Sequence, residues 1–396
     1  MKDATGNLVA ACLAAACALG VAELVLQLTH PEILPYRLRL HDPNLVGENY
    51  LEYGVNIPFR LRTNYSGAFV NRAPVHTDEH GLRRTGRPIE DRADILCLGD
   101  SFTFGYLLGD RQTYPAALQQ ILDAERPGTI VANGGYASGF SFDSAYVRYS
   151  HDLHRLGARL VVVGIYPGND YRDFASNVWT EVADDGRPRR ITRARHVIRR
   201  WIYGIPILRE SRLFVGLASA FLEWRMHDRI GDALDRRLDW SKVDTVVRSF
   251  AASTRRHGAT LVFVFLREPG RVYASVVANG KGQSTEDVRR AIEAKNDQLK
   301  AILNRYGVPW FDDRDMLHEA KSELRSRRAP ELMEVFAGSE DKLLARVFER
   351  EAALAAGDSI HYSWLTNVLL AQWLYERLDA GGLLPTPPES RAPPAG

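Results

Sequence analysis

A serine, a histidine and a carboxylate are the residues of this chain whose placement would support covalent catalysis. Ser101 closes the stretch "ILCLGDS" (Ile95 to Ser101), where four apolar residues give way to Gly-Asp-Ser. His361 follows Asp358 by three residues in "GDSIHYSW" (Gly357 to Trp364), just ahead of a helical pattern. A serine hydroxyl attacks a carbonyl only when a base takes its proton, a third group orients that base, and donors hold the developing oxyanion. One turn of chain is enough to bring Asp358 and His361 side by side. Donors are offered by two further segments. "NGGYASGF" (Asn133 to Phe140) is glycine-rich, so its backbone amides can approach a ligand closely. "YPGND" (Tyr166 to Asp170) presents the side-chain amide of Asn169. Each fragment alone has an ordinary reading: Gly-Asp-Ser as a helix cap, Pro-Gly-Asn-Asp as a turn. Asp100 and Asp170 read as structural, Asp170 holding its loop or capping the next helix. His151, His154 and His257 read as surface residues with no partner spacing.

The elements between these segments decide how they are positioned. Strands are predicted at Ile95–Leu98, Thr129–Asn133, Ala158–Tyr166, Ala259–Leu266 and Val308–Asp313. Helical spacing separates them at Tyr114–Ala124, Ser144–Leu156, Val243–His257 and Asp287–Tyr306, with a last helix at Tyr362–Leu378. The strands are continuous apolar runs, as expected where both faces are covered. Such alternation predicts an α/β protein with a parallel five-stranded sheet between two helical layers. In that architecture the loops at the carboxyl ends of the strands converge on one crevice, and the serine, glycine and asparagine segments all lie on such loops.

With those blocks in that order, the chain resembles the SGNH superfamily of GDSL-type esterases and lipases, in a membrane-anchored bacterial form. "GDSFTFG" is similar to its first block, the loop around Gly139 to its second, "GND" (Gly168 to Asp170) to its third and "DSIH" to its last. The resemblance covers about Asp94 to Leu378 and implies a flavodoxin-like three-layer α/β/α sandwich. It implies Ser101 as nucleophile, His361 as general base and Asp358 as its orienting carboxylate. It implies an oxyanion hole from the amides of Ser101 and Gly139 and the side chain of Asn169. Asn133 and Gly139 are spaced more widely than in the family, and Gly135 is the alternative donor. The implied reaction is hydrolysis of an acetyl or acyl ester, on an acylated carbohydrate or a lipid, without metal or organic cofactor. The same residues would serve an O-acyltransferase acting on cell-surface polysaccharide. A catalytically silent carbohydrate-binding protein would be expected to lack a triad member, and none is lacking.

The remaining sequence places this domain. Among 396 residues the formal net charge is +2, which argues against nucleic acid as partner. The three cysteines suggest neither a disulfide framework nor a zinc site. Leu8 to Leu28 is apolar except for Glu23 and Gln27 and approaches the length of a bilayer span, so residues 1–28 are read as an anchor rather than a cleaved signal. A cell-envelope, periplasmic catalytic domain is expected, although Arg37 and Arg39 just beyond the span slightly oppose that orientation. Residues 29–90 read as a lead-in of turns and short strands, and 91–380 as the catalytic domain. Two helical insertions are expected at 171–240 and 316–357, and 381–396 reads as a disordered Pro-rich tail. The first insertion holds a basic run from Arg187 to Trp201, then Leu213, Phe214, Leu217, Phe221 and Trp224 at helical spacing. Such a pair fits a helix packed on the domain, an anionic membrane surface, or an anionic substrate.

Overall fold

The computed structural model describes residues 2–29, 61–68, 73–89, 91–136, 140–176, 179–182, 184, 188–191, 211, 213–214, 217, 238–267, 284–314, 316 and 361–386. Five parallel strands form the centre: β3 (Ile95–Gly99), β4 (Val131–Gly135), β5 (Leu160–Ile165), β8 (Thr260–Phe265) and β9 (Trp310–Asp312), in the order β4-β3-β5-β8-β9. Preceding them are α1 (Lys2–Thr29) and a hairpin of β1 (Ser66–Ala68) with β2 (Pro74–His76). Successive side chains of a strand point to opposite faces. Leu96, Leu98, Val161, Val163, Phe263 and Phe265 enter one core, while Ile95, Cys97, Leu160, Val162, Val262 and Val264 enter the other.

The first core is closed by α4 (Phe142–His151), α6 (Trp240–Arg256) and α7 (Thr285–Arg305), through Tyr146, Phe250 and Leu303 among others. The second is closed by α3 (Tyr114–Glu125) and α8 (Trp364–Ala380), through Leu118, Leu122, Leu370 and Leu374. Capping starts these helices where the sequence changes character. Thr113 accepts from the Ala116 N–H with Pro115 in the first turn of α3, and Ser363 accepts from the Thr366 N–H at α8. The predicted three-layer sandwich is therefore the observed one, and its helix and strand bounds agree within a few residues.

Four differences have physical causes. Strand β4 lies two residues later than predicted, because Gly134 and Gly135 extend the strand instead of opening a loop. A Cβ on Gly134 would come within 2.6 Å of Leu98 Cδ2, so this strand end packs closely on its neighbour. The first insertion is not purely helical: β6 (Trp179–Val182) pairs antiparallel with β7 (Pro188–Ile191). Aromatic and β-branched residues there flank the turn sequence Asp184-Asp185-Gly186. The start of the expected tail is ordered, with Leu384 buried and Thr386 Oγ1 accepting from Arg159 at 3.1 Å. His154 and His257 do have partners, since their rings lie 4.4 Å apart and Tyr149 packs edge-on against both. The second insertion beyond Met316, Phe221, Trp224 and residues 387–396 lie outside the described residues.

The lead-in covers the β4 edge. The Arg83 N–H donates to Asn133 O at 2.8 Å, and Thr85 Oγ1 donates to Val131 O at 2.7 Å. These bonds satisfy edge groups that would otherwise stay open to pairing.

Candidate active site

Strand order reverses on either side of β3, and Ser101 stands at the carboxyl end of β3, the topological switch point where open α/β sheets bind ligands. It is the first residue of α2 (Ser101–Phe104). The cap is Asp100, whose Oδ1 accepts from the Phe102 N–H at 3.0 Å. Ser101 thus carries no capping duty, and its Oγ faces His361. The distance from His361 Nε2 to Ser101 Oγ is 2.8 Å, across 260 residues of sequence. A base within hydrogen-bond reach of a hydroxyl is the first geometric requirement of serine catalysis.

The imidazole is held by aromatic rings. Phe102 lies 4.9 Å from it and Tyr106 lies 4.4 Å from it, centroid to centroid, both tilted. Phe102 in turn stacks on Tyr166 at 4.3 Å. Behind His361 the chain is tied to the sheet. Tyr362 is buried and its hydroxyl donates to Asp313 Oδ2. The Arg267 N–H, at the end of β8, reaches the Tyr362 hydroxyl at 2.8 Å and the Asp313 carboxyl at 3.0 Å. The loop carrying the histidine is therefore pinned to the carboxyl ends of the last two strands. Neither Asp313 nor Tyr362 stood out in the sequence, although Asp313 closes the predicted strand "VPWFDD" and Tyr362 neighbours His361.

The expected oxyanion donors are placed unevenly. The Ser101 N–H, at the first position of α2, has no partner among the described residues, as expected of a helix start. Asn169 precedes α5 (Asp170–Ser176), and its Nδ2 donates to Asp173 Oδ2 at 2.8 Å. The N–H of Gly135, the alternative donor, is given to Asn133 Oδ1 at 3.0 Å. Its role is spatial: a Cβ there would stand 2.2 Å from Phe104 N. Gly139 and Asp358 lie outside the described residues.

Carboxyls crowd the floor of the site. Burial pushes Asp100 up to about 7, with the nearby Asp173 charge adding to the rise. Burial also raises Asp170, as do the charges of Asp100 and Asp173. Asp170 holds its loop by accepting from the Tyr166 N–H at 3.1 Å. Burial drives the Cys97 thiol to about 12, so it stays protonated and is no nucleophile. Among the described residues no group of three His, Cys, Asp or Glu is arranged to hold a metal ion.

Fold and site together define an α/β/α protein with a serine–histidine pair at its switch point. No protein-family profile and no curated protein matches this sequence. Solved structures are similar at low identity. An alpha/beta hydrolase enzyme from the metagenome of Lake Arreo, Spain, is 14% identical, with 75% of this chain and 100% of that one covered, at a TM-score of 0.37. An acetylxylan esterase from Geobacillus stearothermophilus is 14% identical, covering 74% and 96%, at 0.36. The psychrotrophic esterase EstA from Pseudoalteromonas sp. is 12% identical, covering 74% and 98%, at 0.35. Likeness at this level transfers no activity to this chain.

Proposed function

We propose that this protein is a serine esterase that cleaves an acetyl or acyl ester through an acyl-serine intermediate. The observation that carries the proposal is the 2.8 Å contact between Ser101 Oγ and His361 Nε2 at the switch point of the sheet. His361 takes the hydroxyl proton as Oγ bonds to the ester carbonyl carbon. The tetrahedral oxyanion is received by the Ser101 amide, with the Gly139 amide and the Asn169 side chain as further donors. The bond to the alkoxy oxygen then breaks, and His361 returns its proton to the departing alcohol. A water molecule, deprotonated by His361, adds to the acyl carbon, and the acid leaves as Ser101 recovers its proton. Asp358 keeps the imidazole in the tautomer that offers Nε2 to the serine. Among the described residues one helix, α1, is long and apolar enough to cross a membrane over Val9–Leu26, which supports an anchored enzyme, and we place its catalytic domain outside the cytoplasm as part of this proposal.

The test is hydrolysis of chromogenic acetyl and short-acyl esters by the full chain in detergent, with Ser101→Ala and His361→Ala alongside. Both variants should lose at least about 10³-fold in kcat, as triad deletions do. Undiminished activity in Ser101→Ala would refute the assignment. Wild type that releases acetate slowly in water, but transfers it rapidly to an added oligosaccharide, would identify a transferase instead.

A further inference from the structure

Among the described residues, every large apolar side chain that stands exposed belongs to α1, between Val9 and Leu28, with one exception. The exception is Leu217, 64% exposed, in the first insertion. Leu213, Phe214 and Leu217 are helical and share one face of that helix by their spacing. This helix begins against α1. Glu23 Oε2 accepts from Ser211 Oγ at 2.8 Å and from the Leu213 N–H at 2.9 Å. Ser211 Oγ in turn accepts from the Phe214 N–H at 3.0 Å, so Ser211 caps the helix.

The contact explains a residue that is otherwise out of place. Glu23 is a carboxylate inside the apolar window Val9–Leu26. A charge at that position is costly in a bilayer unless it is partnered. The first turn of a helix is a suitable partner, because its free N–H groups and its dipole favour negative charge. Glu23 lies three residues before Leu26, about 4.5 Å of helical rise from the end of the window nearest the catalytic domain. The docked helix therefore meets α1 at interfacial depth. The chain leading to it carries seven arginines between Arg187 and Arg200, which match an anionic headgroup layer.

We propose that the insertion helix opening at Leu213 is a second membrane-contacting element, docked on α1 through Glu23 and seating Leu217 at the boundary between headgroups and acyl chains. The proposal rests on the reading of α1 as a membrane span, and the experiment separates the two. The full chain, with Cys12→Ala and Cys17→Ala, is reconstituted in vesicles of phosphatidylcholine and phosphatidylglycerol. An environment-sensitive thiol dye is attached through Leu24→Cys or Leu217→Cys, and lipids bearing spin labels at different depths are the quenchers. Cys97 is fully buried and stays unlabelled. Both positions should be quenched, and most strongly by labels near the headgroups. Adding Glu23→Ala should reduce quenching at Leu217 severalfold and leave Leu24 unchanged, with ester hydrolysis retained as the check on folding. Quenching at Leu24 alone would overturn the second contact and leave the span standing. Quenching at Leu217 that ignores Glu23→Ala would overturn the docking. No quenching at either position would remove both readings.

Discussion

Single atoms decide whether Ser101 meets its base. A methyl on Gly135 would stand 2.2 Å from Phe104 N, which is backbone of the helix that Ser101 opens and cannot swing aside. Gly135→Ala should cost about 1–3 kcal/mol of stability through overpacking. Because relief requires α2 to move, kcat should fall by about 10²-fold, the scale of a misplacement near 1 Å. Thermal unfolding and kinetics on one preparation check both, and unchanged kcat would show that α2 does not need this close approach. On the opposite side, Tyr362→Phe deletes the hydroxyl that ties the His361 loop to Asp313 and the Arg267 N–H. Expected is a fall in kcat of about 10-fold or more with KM little changed, since the ring still fills its place while the base loses alignment. A rise in KM with normal kcat would place Tyr362 in substrate binding instead. Ser101 and His361 were legible in the sequence because each sits at an abrupt change from apolar run to polar turn. Tyr362 and Asp313 were not, because an aromatic and a carboxylate become partners only when two strand ends and a distant loop converge.

Whole elements depend on one buried cation from the lead-in. Arg83 is fully buried, and its guanidinium donates to Phe104 O at 2.6 Å, Gly105 O at 2.8 Å, Leu108 O at 2.5 Å and Asp110 Oδ1 at 3.0 Å. These carbonyls flank Leu107, whose φ of 63° lies in the left-handed region disfavoured for a leucine. Arg83 thus clamps the strained turn that follows α2. Arg83→Met should destabilise by about 3–5 kcal/mol, since it removes a buried guanidinium from Asp110, which keeps only His76, and takes that donor from the Phe104, Gly105 and Leu108 carbonyls. Adding Asp110→Asn should recover part of the loss in a denaturant titration, and strict additivity would show that the pair is not coupled. The sheet strands were readable from their apolar runs, whereas the lead-in's tertiary role was not. Nothing in "GLRRTGRP" distinguishes Arg83, which the fold buries, from Arg84 beside it, which stays in solvent. The hairpin β6–β7 escaped notice for a similar reason, since a basic run hid a short strand pattern.

At the level of the molecule, acid–base behaviour should be unusual for a protein with so balanced a charge. Burial raises Asp100 to about 7, Asp313 to about 8, and Asp170 in the same direction. A carboxyl whose folded pKa exceeds its unfolded value keeps its proton longer in the native state. The native state then binds more protons between pH ~4 and the folded pKa, and stability falls as pH rises through that window. Each such group contributes a slope of up to about 1.4 kcal/mol per pH unit. Asp312 acts oppositely at the acid end. Burial would raise it, but the hydrogen bonds and charges of Arg267 and Lys300 outweigh burial and hold it at about 2. Its contribution is lost only as pH falls below about 4. Denaturant midpoints should therefore be higher at pH 5 than at pH 8, and Asp313→Asn should flatten the difference. A wild type more stable at pH 8 would contradict this assignment of protons.

The Ser101–His361 contact also has a consequence for synthesis. Nascent chains emerge from the ribosome N-terminus first, so α1 and Ser101 appear early, while His361 arrives only after some 260 further residues. Sheet strands β3 to β9 and both flanking layers except α8 precede it. A ribosome-held or prematurely terminated chain ending before His361 carries a serine with no partner to activate it. On the proposed esterase reading, reactivity towards esters is acquired only with the synthesis of the last helix, as one of the final acts of folding.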